Sequence, residues 1–210
     1  MMVIAIDGPA GVGKSTIAKA IAEKMGIFYL NSGNFYRAIT LYLLEKGIDI
    51  KDEEAVVAAA EQCDITVKDH HVYLNGADVE DKLHSDAVDA IVAPVSAIIP
   101  VRHIVNNQLR KLAKSLDLIS EGRDVTTVVF PDADYKFYFD ADARTRAERR
   151  YNQGTSNMSL EEIEKSIIER DRIDRGKAFG ALKIAKDSIY IDTTGLTIDQ
   201  VYAKVSDSIK

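Results

Sequence analysis

The chain has 210 residues, of which 46% are hydrophobic, and a formal net charge of −6. This length allows one well-filled core with small appendages, and the acidic balance argues against a nucleic-acid-binding surface. No apolar run approaches the roughly eighteen residues of a membrane span, and a start on a strand leaves no room for a signal peptide. The single cysteine, Cys63, excludes an intrachain disulfide. We therefore expect a buried thiol and a cytoplasmic protein without a membrane partner.

The first segments predict a strand, a phosphate-binding loop and a helix. An apolar run over 2–6 is typical of a buried parallel strand, and apolar residues at helical spacing follow over 16–25. Between them lies a complete G-x-x-x-x-G-K-S motif, in which glycines let backbone N–H groups face a polyphosphate. We expect Lys14 to reach its β and γ phosphates and Ser15 to bind Mg²⁺. The predicted ATP-binding set is Gly8, Pro9, Ala10, Gly11, Val12, Gly13, Lys14, Ser15 and Thr16.

Strands alternate with helices along most of the chain. This order predicts an α/β fold with a mostly parallel sheet covered by helices on both faces, the three-layer αβα arrangement of P-loop NTPases. The later predicted strands cover residues 27–30, 116–120, 135–140 and 189–192. The later predicted helices include 35–45, 101–115 and 198–209, and a helix that Ser159 and Glu162 start with a capping-box signature.

One segment, residues 48–92, interrupts this order. It predicts a helix over 52–62 and two alternating strands, 65–68 and 72–74, with residues 69–71 between them. We interpret the segment as a small inserted α+β subdomain. The predicted core then consists of residues 1–47 and 93–210.

Several charges follow the carboxyl ends of predicted strands, the edge where ligands bind in such sheets. Arg37, Arg102 and Arg123 are predicted to converge there. Lys14 already serves the nucleotide, so a second phosphorylated ligand is the economical explanation for three further arginines. Glu121, at the end of a predicted strand, is our candidate for an outer-sphere contact to Mg²⁺.

Basic helices lie on both sides of a polar loop at 154–158. Arg146, Arg149 and Arg150 fall within one helical turn. We predict that residues 150–180 form a helical lid that closes positive charge over a transferring phosphoryl group and excludes water. The predicted catalytic residues are Lys14, Arg123, Arg146 and Arg150.

Three runs of residues resemble the bacterial cytidylate kinase family. They cover 6–11, 31–37 and 121–133, and the last reads E-G-R-D-V-T-T-V-V-F-P-D-A, a pattern far more specific than the phosphate-binding loop. Shorter matches at 146–150, 170–174 and 191–198 follow in the family's order. The resemblance spans essentially the whole chain. It implies a nucleoside monophosphate (NMP) kinase in which 48–92 is the NMP-binding subdomain.

The resemblance also implies roles for residues that would bind CMP. Ser32, Arg37 and Arg123 would hold the acceptor phosphate, and Tyr36, Arg170 and Asp174 would hold the sugar. Ser96, Arg102 and Asp124 would read the cytosine ring. Cytosine presents an amino donor beside two acceptors, so a carboxylate with two donors matches it. Uracil would set a carbonyl against Asp124, which disfavours UMP.

Four positions depart from the family pattern. Lys177 stands where an arginine usually contacts the acceptor phosphate, so a point charge replaces a bidentate fork and we expect weaker CMP binding. Asn31 replaces the usual aspartate, Thr126 a glycine and Ala181 a proline. The three predicted base-reading residues are unchanged by these departures.

The favoured interpretation is transfer of the γ-phosphoryl group of ATP to CMP or dCMP, giving ADP and CDP or dCDP, with Mg²⁺ as cofactor, by a monomer. No general base is expected, because the acceptor phosphate is already ionised near neutral pH. One alternative is a P-loop kinase for another acceptor, either UMP or a non-nucleotide metabolite. Another is a non-catalytic nucleotide-binding switch, although a switch would not need the second group of arginines.

Overall fold

The computed structural model describes residues 1–68, 71–154 and 158–209. The chain divides into two compact units, and each is described by itself. The sheet unit contains Met1–Leu30 and Ser115–Lys210, and the helical unit contains Asn31–Lys114. Residues 69–70 of the predicted hairpin connection and 155–157 of the predicted polar loop lie outside the described residues.

The elements are numbered in chain order. The strands are β1 (Val3–Asp7), β2 (Phe28–Asn31), β3 (Ile65–Lys68), β4 (His71–Leu74), β5 (Ala77–Asp78), β6 (Leu118–Gly122), β7 (Tyr135–Asp140) and β8 (Ile189–Asp192). The helices are α1 (Lys14–Met25), α2 (Ser32–Lys46), α3 (Glu53–Glu61), α4 (Asp86–Val95), α5 (Ile99–Ala113), α6 (Ala143–Asn152), α7 (Leu160–Gly176) and α8 (Ile198–Ser208). Short 3-10 and π-helical turns cover Glu80–Lys82 and Val125–Val129.

A five-stranded sheet in the order β2-β6-β1-β7-β8 forms the centre of the sheet unit. The pairings of β1 with β6, of β1 with β7 and of β7 with β8 are parallel, which confirms the predicted sheet type. Strand β1 is central and its residues Ile4, Ala5 and Ile6 are buried, and α1 and α8 contribute to the core around Ile4 and Ile6. The largest side chains of this core are Ile4, Ile6, Ile17, Ile21, Phe137 and Phe139.

The predicted bounds of the third core strand, 116–120, are wrong by two residues. The observed strand is β6, because its register is set by β1: Val3 pairs with Leu118 and Asp7 pairs with Gly122. Asp117, just before the strand, instead accepts a hydrogen bond from the Met2 backbone N–H at 2.6 Å. Hydrophobic pattern identifies such a strand, but its partner decides where pairing starts.

The helical unit combines α2–α5 with an antiparallel sheet in the order β3-β4-β5. The sequence predicted β3 correctly but placed His71 in the connection, whereas it pairs with Lys68 at the start of β4. Strand β5 and helix α4 were not predicted. The predicted boundary at 92 falls inside α4, and the compact unit extends further on both sides because α2 and α5 pack with α3 and α4.

Helix starts follow the expected capping chemistry. The Asn31 side chain accepts from the Gly33 N–H at the start of α2, and Asp52 accepts from Ala55 at the start of α3. The predicted capping box at Ser159 and Glu162 is present at the start of α7. These local hydrogen bonds satisfy N–H groups that the first turn of a helix leaves free.

The predicted buried thiol is present, and Cys63 is 2% exposed at the end of α3. Burial raises the pKa of Cys63 to about 12, so the thiol is inert at neutral pH. In the described part of the chain, no helix by itself has the length and apolar character of a membrane span. Only α4 and α5 taken together satisfy those criteria, and they are bent by 104°.

Candidate active site

The phosphate-binding loop joins β1 to α1 and has the backbone that its glycines allow. Gly8, with φ of +152°, lies so close to the Phe139 carbonyl oxygen that a side chain there would overlap it. Gly11, with φ of +82°, leaves room for Arg146, whose Cβ would lie 3.2 Å from an added Cβ. The loop therefore needs glycine for close approach as well as for conformation.

The Lys14 ammonium lies inside the loop. Its Nζ donates to the Gly8 carbonyl at 2.9 Å and to the Pro9 carbonyl at 2.8 Å, and the residue is 4% exposed. Burial, aided by the nearby charge of Arg123 and opposed by that of Glu121, lowers the pKa of Lys14 to about 7. A polyphosphate brought to this ammonium would stabilise its charged form.

Three polar side chains meet beside the loop at the start of α1. The Ser15 hydroxyl donates to Glu121 Oε1, and the Tyr29 hydroxyl donates to the same oxygen at 2.8 Å. Hydroxyl and carboxylate oxygens are ligands suited to Mg²⁺ or to its bound waters. Among the described residues, no group of three or more His, Cys, Asp or Glu side chains could hold a metal ion.

Arg123 and Lys177 share one buried carboxylate. Arg123 Nε lies 3.0 Å from Asp174 Oδ2, and Lys177 Nζ lies 2.8 Å from Asp174 Oδ1. Burial alone would raise the pKa of Asp174, but Arg123 and Lys177 outweigh it and lower the pKa. The sequence argument that Arg123 needs a ligand anion was therefore incomplete, because a protein carboxylate already pairs with it.

Asp7 is a buried carboxylate directly before the loop. It is 0% exposed, and it accepts from the backbone N–H groups of Val125 at 2.9 Å and Thr126 at 2.7 Å. The Thr126 hydroxyl donates to it at 2.6 Å. Burial raises the pKa of Asp7 to about 6, with these hydrogen bonds opposing the shift. Asp124, the predicted cytosine reader, is 5% exposed beside this network.

Arg146, a predicted catalytic residue, and Arg149 on the same helix have protein partners in the sheet unit. Arg146 is 4% exposed and forms a bidentate pair with Asp171 at 3.1 and 2.5 Å, and it donates to the Ala10 carbonyl at 3.2 Å. Arg149 donates to the Thr193 hydroxyl at 3.0 Å and to its carbonyl at 2.7 Å. These bonds connect α6 to α7, to the phosphate-binding loop and to the end of β8.

Arg150 and Arg170 are exposed, on α6 and α7 respectively. Arg170 lowers the pKa of Lys14, so its charge acts on the loop from α7. The catalytic role of Arg150 and the sugar-binding role of Arg170 stay predictions.

Five predicted site residues lie in the helical unit. Arg102 Nη1 donates to the Ser96 carbonyl at 2.9 Å, and its guanidinium lies 5.4 Å from the Tyr36 ring centroid. Arg37 pairs with Asp89 at 2.6 Å and, like Arg123, already has a protein carboxylate as partner. Ser32 is buried at the first turn of α2. The structure thus brings Ser96, Arg102 and Tyr36 together within this unit.

Sequence reasoning missed Asp7, Tyr29, Asp171 and Thr193, which hold the predicted residues in place. Asp7 alone had a usable signal, since an acidic residue ends a buried strand immediately before the glycine-rich loop. The partners of the others lie between 25 and 92 positions away in the chain, so no local pattern indicates them.

Comparison with known proteins gives a match over nearly the whole chain. The cytidylate kinase family matches residues 4–210. Cytidylate kinase of Clostridioides difficile strain 630 is 42% identical over 212 residues, covering 99% of this chain and 98% of the relative. Cytidylate kinase of Caldanaerobacter subterraneus subsp. tengcongensis is 41% identical over 211 residues, with 99% and 94% covered.

A solved structure of an uncharacterized protein from Eubacterium ventriosum has a TM-score of 0.56 at 13% identity, with 100% of this chain and 98% of that chain covered. At this identity the likeness supports the fold alone. The family match and the identities above 40% carry the assignment. The chain belongs to the cytidylate kinase family.

Proposed function

We propose that the protein transfers the γ-phosphoryl group of ATP to CMP and dCMP, giving ADP and CDP or dCDP. The observation that carries this proposal is the Lys14 ammonium, which lies inside the phosphate-binding loop on the Gly8 and Pro9 carbonyls and has Arg123 as a nearby second cation. Arg123, on the predicted acceptor side, is close enough to lower the pKa of Lys14 on the donor side. Phosphoryl transfer depends mainly on such positioned positive charge, because charge spreads over the phosphoryl oxygens in the transition state.

The chain's own residues would divide the work between donor and acceptor. Lys14 would bind the β and γ phosphates, and Arg123 with Lys177 would bind the acceptor phosphate. Release of these two cations from Asp174 would leave its carboxylate to accept a hydrogen bond from a sugar hydroxyl. No residue is needed as a general base, since the attacking phosphate oxygen is ionised.

Base selection would rest on hydrogen-bond polarity. Asp124 would accept from the cytosine amino group, while Arg102 and Ser96 would donate to the ring acceptors. Uracil would leave Asp124 facing a carbonyl, and unmatched buried polar groups are strongly rejected. We further propose that residues 48–92 act as the NMP-binding subdomain and 150–180 as the lid.

Mg²⁺ is the proposed cofactor. Ser15 and Glu121 would hold it, directly or through water, with Tyr29 fixing the carboxylate. Bound there, the ion would neutralise charge on the β and γ phosphates. The monomeric state and the cytoplasmic location stay predictions.

An acceptor panel tests the proposed function. ADP release is measured with CMP, dCMP, UMP, AMP and shikimate at equal concentration, with and without EDTA. CMP or dCMP is expected to be the best acceptor, and EDTA should abolish turnover. A different best acceptor would contradict the specificity argument. ATP turnover that no acceptor stimulates would favour a nucleotide-binding switch.

A further inference from the structure

The buried Asp7 side chain ties the end of β1 to the turn that begins at Val125. Its Oδ1 accepts from Val125 N–H at 2.9 Å, and its Oδ2 accepts from Thr126 N–H at 2.7 Å and from the Thr126 hydroxyl at 2.6 Å. Both oxygens are acceptors, so the amide of an asparagine would present a donor to another donor. A carboxylate is the side chain that satisfies all three groups.

These two N–H groups open the π-helical turn over Val125–Val129. Within the turn, Val128 and Val129 donate to the Asp124 carbonyl at 2.8 and 3.1 Å. The first N–H groups of any helical turn have no acceptor inside it. Asp7 supplies that acceptor from a neighbouring strand, so the turn is capped by a residue 118 positions away in the chain.

The backbone of Asp7 provides a second anchor. It pairs with Gly122 at the end of β6, as the last step of the parallel ladder between β1 and β6. Only Arg123 and Asp124 lie between the backbone anchor at Gly122 and the side-chain anchor at Val125. A two-residue bridge between fixed ends has little freedom, so its two side chains leave the backbone in defined directions.

We propose that Asp7 is a positioning residue for the acceptor nucleotide, setting Arg123 and Asp124 through this double anchor, with the Thr126 hydroxyl as its third donor. Glycine at position 126 would lack this hydroxyl, so the bond is a feature of this chain's own sequence. The identity of the acceptor as CMP rests on the proposed function, but the positioning role does not. Asp7 would touch neither substrate.

The Asp7→Asn variant tests the role through separate donor and acceptor measurements. KM for CMP and kcat come from ADP release, and Kd for ATP comes from calorimetric titration without acceptor. We expect KM for CMP to rise about tenfold and the CMP-to-UMP preference to fall, because one misaligned hydrogen bond is worth about that factor. Kd for ATP should change by less than about threefold. Equal losses for ATP and CMP, or an unchanged KM for CMP in a folded variant, would overturn the proposal.

Substitutions at Thr126 keep the proposal testable if Asp7→Asn does not fold. Thr126→Val removes the hydroxyl but keeps the shape, and we expect KM for CMP to rise about threefold to tenfold. Thr126→Ser restores the donor and should return KM toward the wild-type value. Thr127→Val makes the same change one residue later, where the hydroxyl lies 3.5 Å from the Asp124 carbonyl and makes no contact with Asp7, and it serves as the control for the Asp7 bond alone. Failure of serine to rescue would contradict the hydrogen-bond role.

Amide hydrogen exchange separates this inference from the proposed function. Val125 and Thr126 amides should lose protection about tenfold in Asp7→Asn, and to a smaller extent in Thr126→Val, whatever the acceptor is. If the wild type prefers an acceptor other than CMP, the proposed function fails, and KM for that acceptor replaces KM for CMP. If both amides keep their wild-type protection in Asp7→Asn, the Asp7 side chain does not anchor the turn, and the proposal fails.

Discussion

At the scale of single residues, the candidate active site in the sheet unit holds two ionisable groups away from water. Lys14 is 4% exposed, with two carbonyl oxygens as partners, and Asp7 is 0% exposed, with three donors. Burial disfavours the charged form of each, so the pKa of Lys14 falls to about 7 and that of Asp7 rises to about 6. Both groups therefore titrate near neutral pH, where the enzyme would act.

We predict that ATP affinity falls as pH rises above 7. The free protein then loses the Lys14 proton, so binding of the polyphosphate must take a proton up. By linkage, the logarithm of the association constant should fall by up to about one unit per pH unit. Isothermal titration between pH 6.5 and 9, in buffers of different ionisation enthalpy, measures the affinity and the proton uptake together.

Lys14→Arg is the control for this prediction, because a guanidinium stays charged throughout that range. Its ATP affinity should be weaker but nearly independent of pH. A wild-type affinity that is flat from pH 7 to 9, without proton uptake, would show that the loop does not depress the pKa of Lys14.

Asp124 gives the second prediction at this scale. Asp124→Asn replaces a charged acceptor by an amide that can also donate, so uracil gains a partner while cytosine keeps only the weaker neutral acceptor. The ratio of kcat/KM for CMP to that for UMP should fall by about tenfold to a hundredfold, with Kd for ATP within about twofold of the wild type. ADP release with each acceptor provides the ratio. A variant that loses both acceptors equally and also loses ATP affinity would exclude the base-reading role.

At the scale of elements, α6 and α7 form one packed pair beside the phosphate-binding loop. Ala147, Ile163 and Ile167 make a small apolar cluster between them. The ion pair of buried Arg146 with part-buried Asp171 crosses the same junction, and Arg146 also donates to the Ala10 carbonyl. The junction is therefore fixed by apolar contact and by charge, and it places α6 against Gly11.

Asp171→Asn should lower the free energy of unfolding by about 2 to 3 kcal/mol, since it leaves the Arg146 guanidinium buried without its charge partner. Glu169→Gln is the matched control, because it breaks the pair with Arg172 on the exposed face of the same helix. Its urea midpoint should stay close to that of the wild type. Equal urea midpoints for both variants would mean that the buried pair adds nothing to the junction.

At the scale of the whole molecule, the protein consists of two compact units with different designs. The sheet unit carries the phosphate-binding loop, Arg123 and Asp124, and its core surrounds a central parallel strand. The helical unit holds Arg102 against Tyr36 and Arg37 against Asp89. The stability of the molecule also depends on pH through Asp7, whose folded pKa exceeds its ordinary value of 3.8.

We predict that the wild type loses stability relative to Asp7→Asn as pH rises from about 4 to about 6. The folded state binds the Asp7 proton more tightly than the unfolded state, so the contribution is full below pH 4 and is lost through pH 6. The unfolding free energy of the wild type minus that of Asp7→Asn should fall by about 3 kcal/mol over this window. Urea unfolding at pH 4 and pH 7 measures it, and NMR titration of the Asp7 carboxyl carbon gives the folded pKa directly. An NMR pKa near 4 would contradict the prediction.

Much of the fold was predictable because its signals are local. The glycine-rich motif, the apolar strand before it and the capping box of α7 each depend on neighbouring residues. Helix α4 was missed. Strand β6 was misplaced by two residues, because its pairing with β1 sets its register. The same division holds for the candidate site, where residue types were predictable but partners such as Asp171 and Asp174 were not.

The sequence by itself determined the family and the phosphate-binding loop, and it predicted which residues would bind ATP and CMP. These follow from residue type and spacing, since a phosphate loop and a base-reading set need particular chemical groups in order along the chain. Only the tertiary structure decided which groups hold those residues: Asp174 between Arg123 and Lys177, and Asp7 beneath the turn that follows Asp124. Such partners are far apart in the chain, and burial, which folding alone creates, gives their charges and hydrogen bonds their strength.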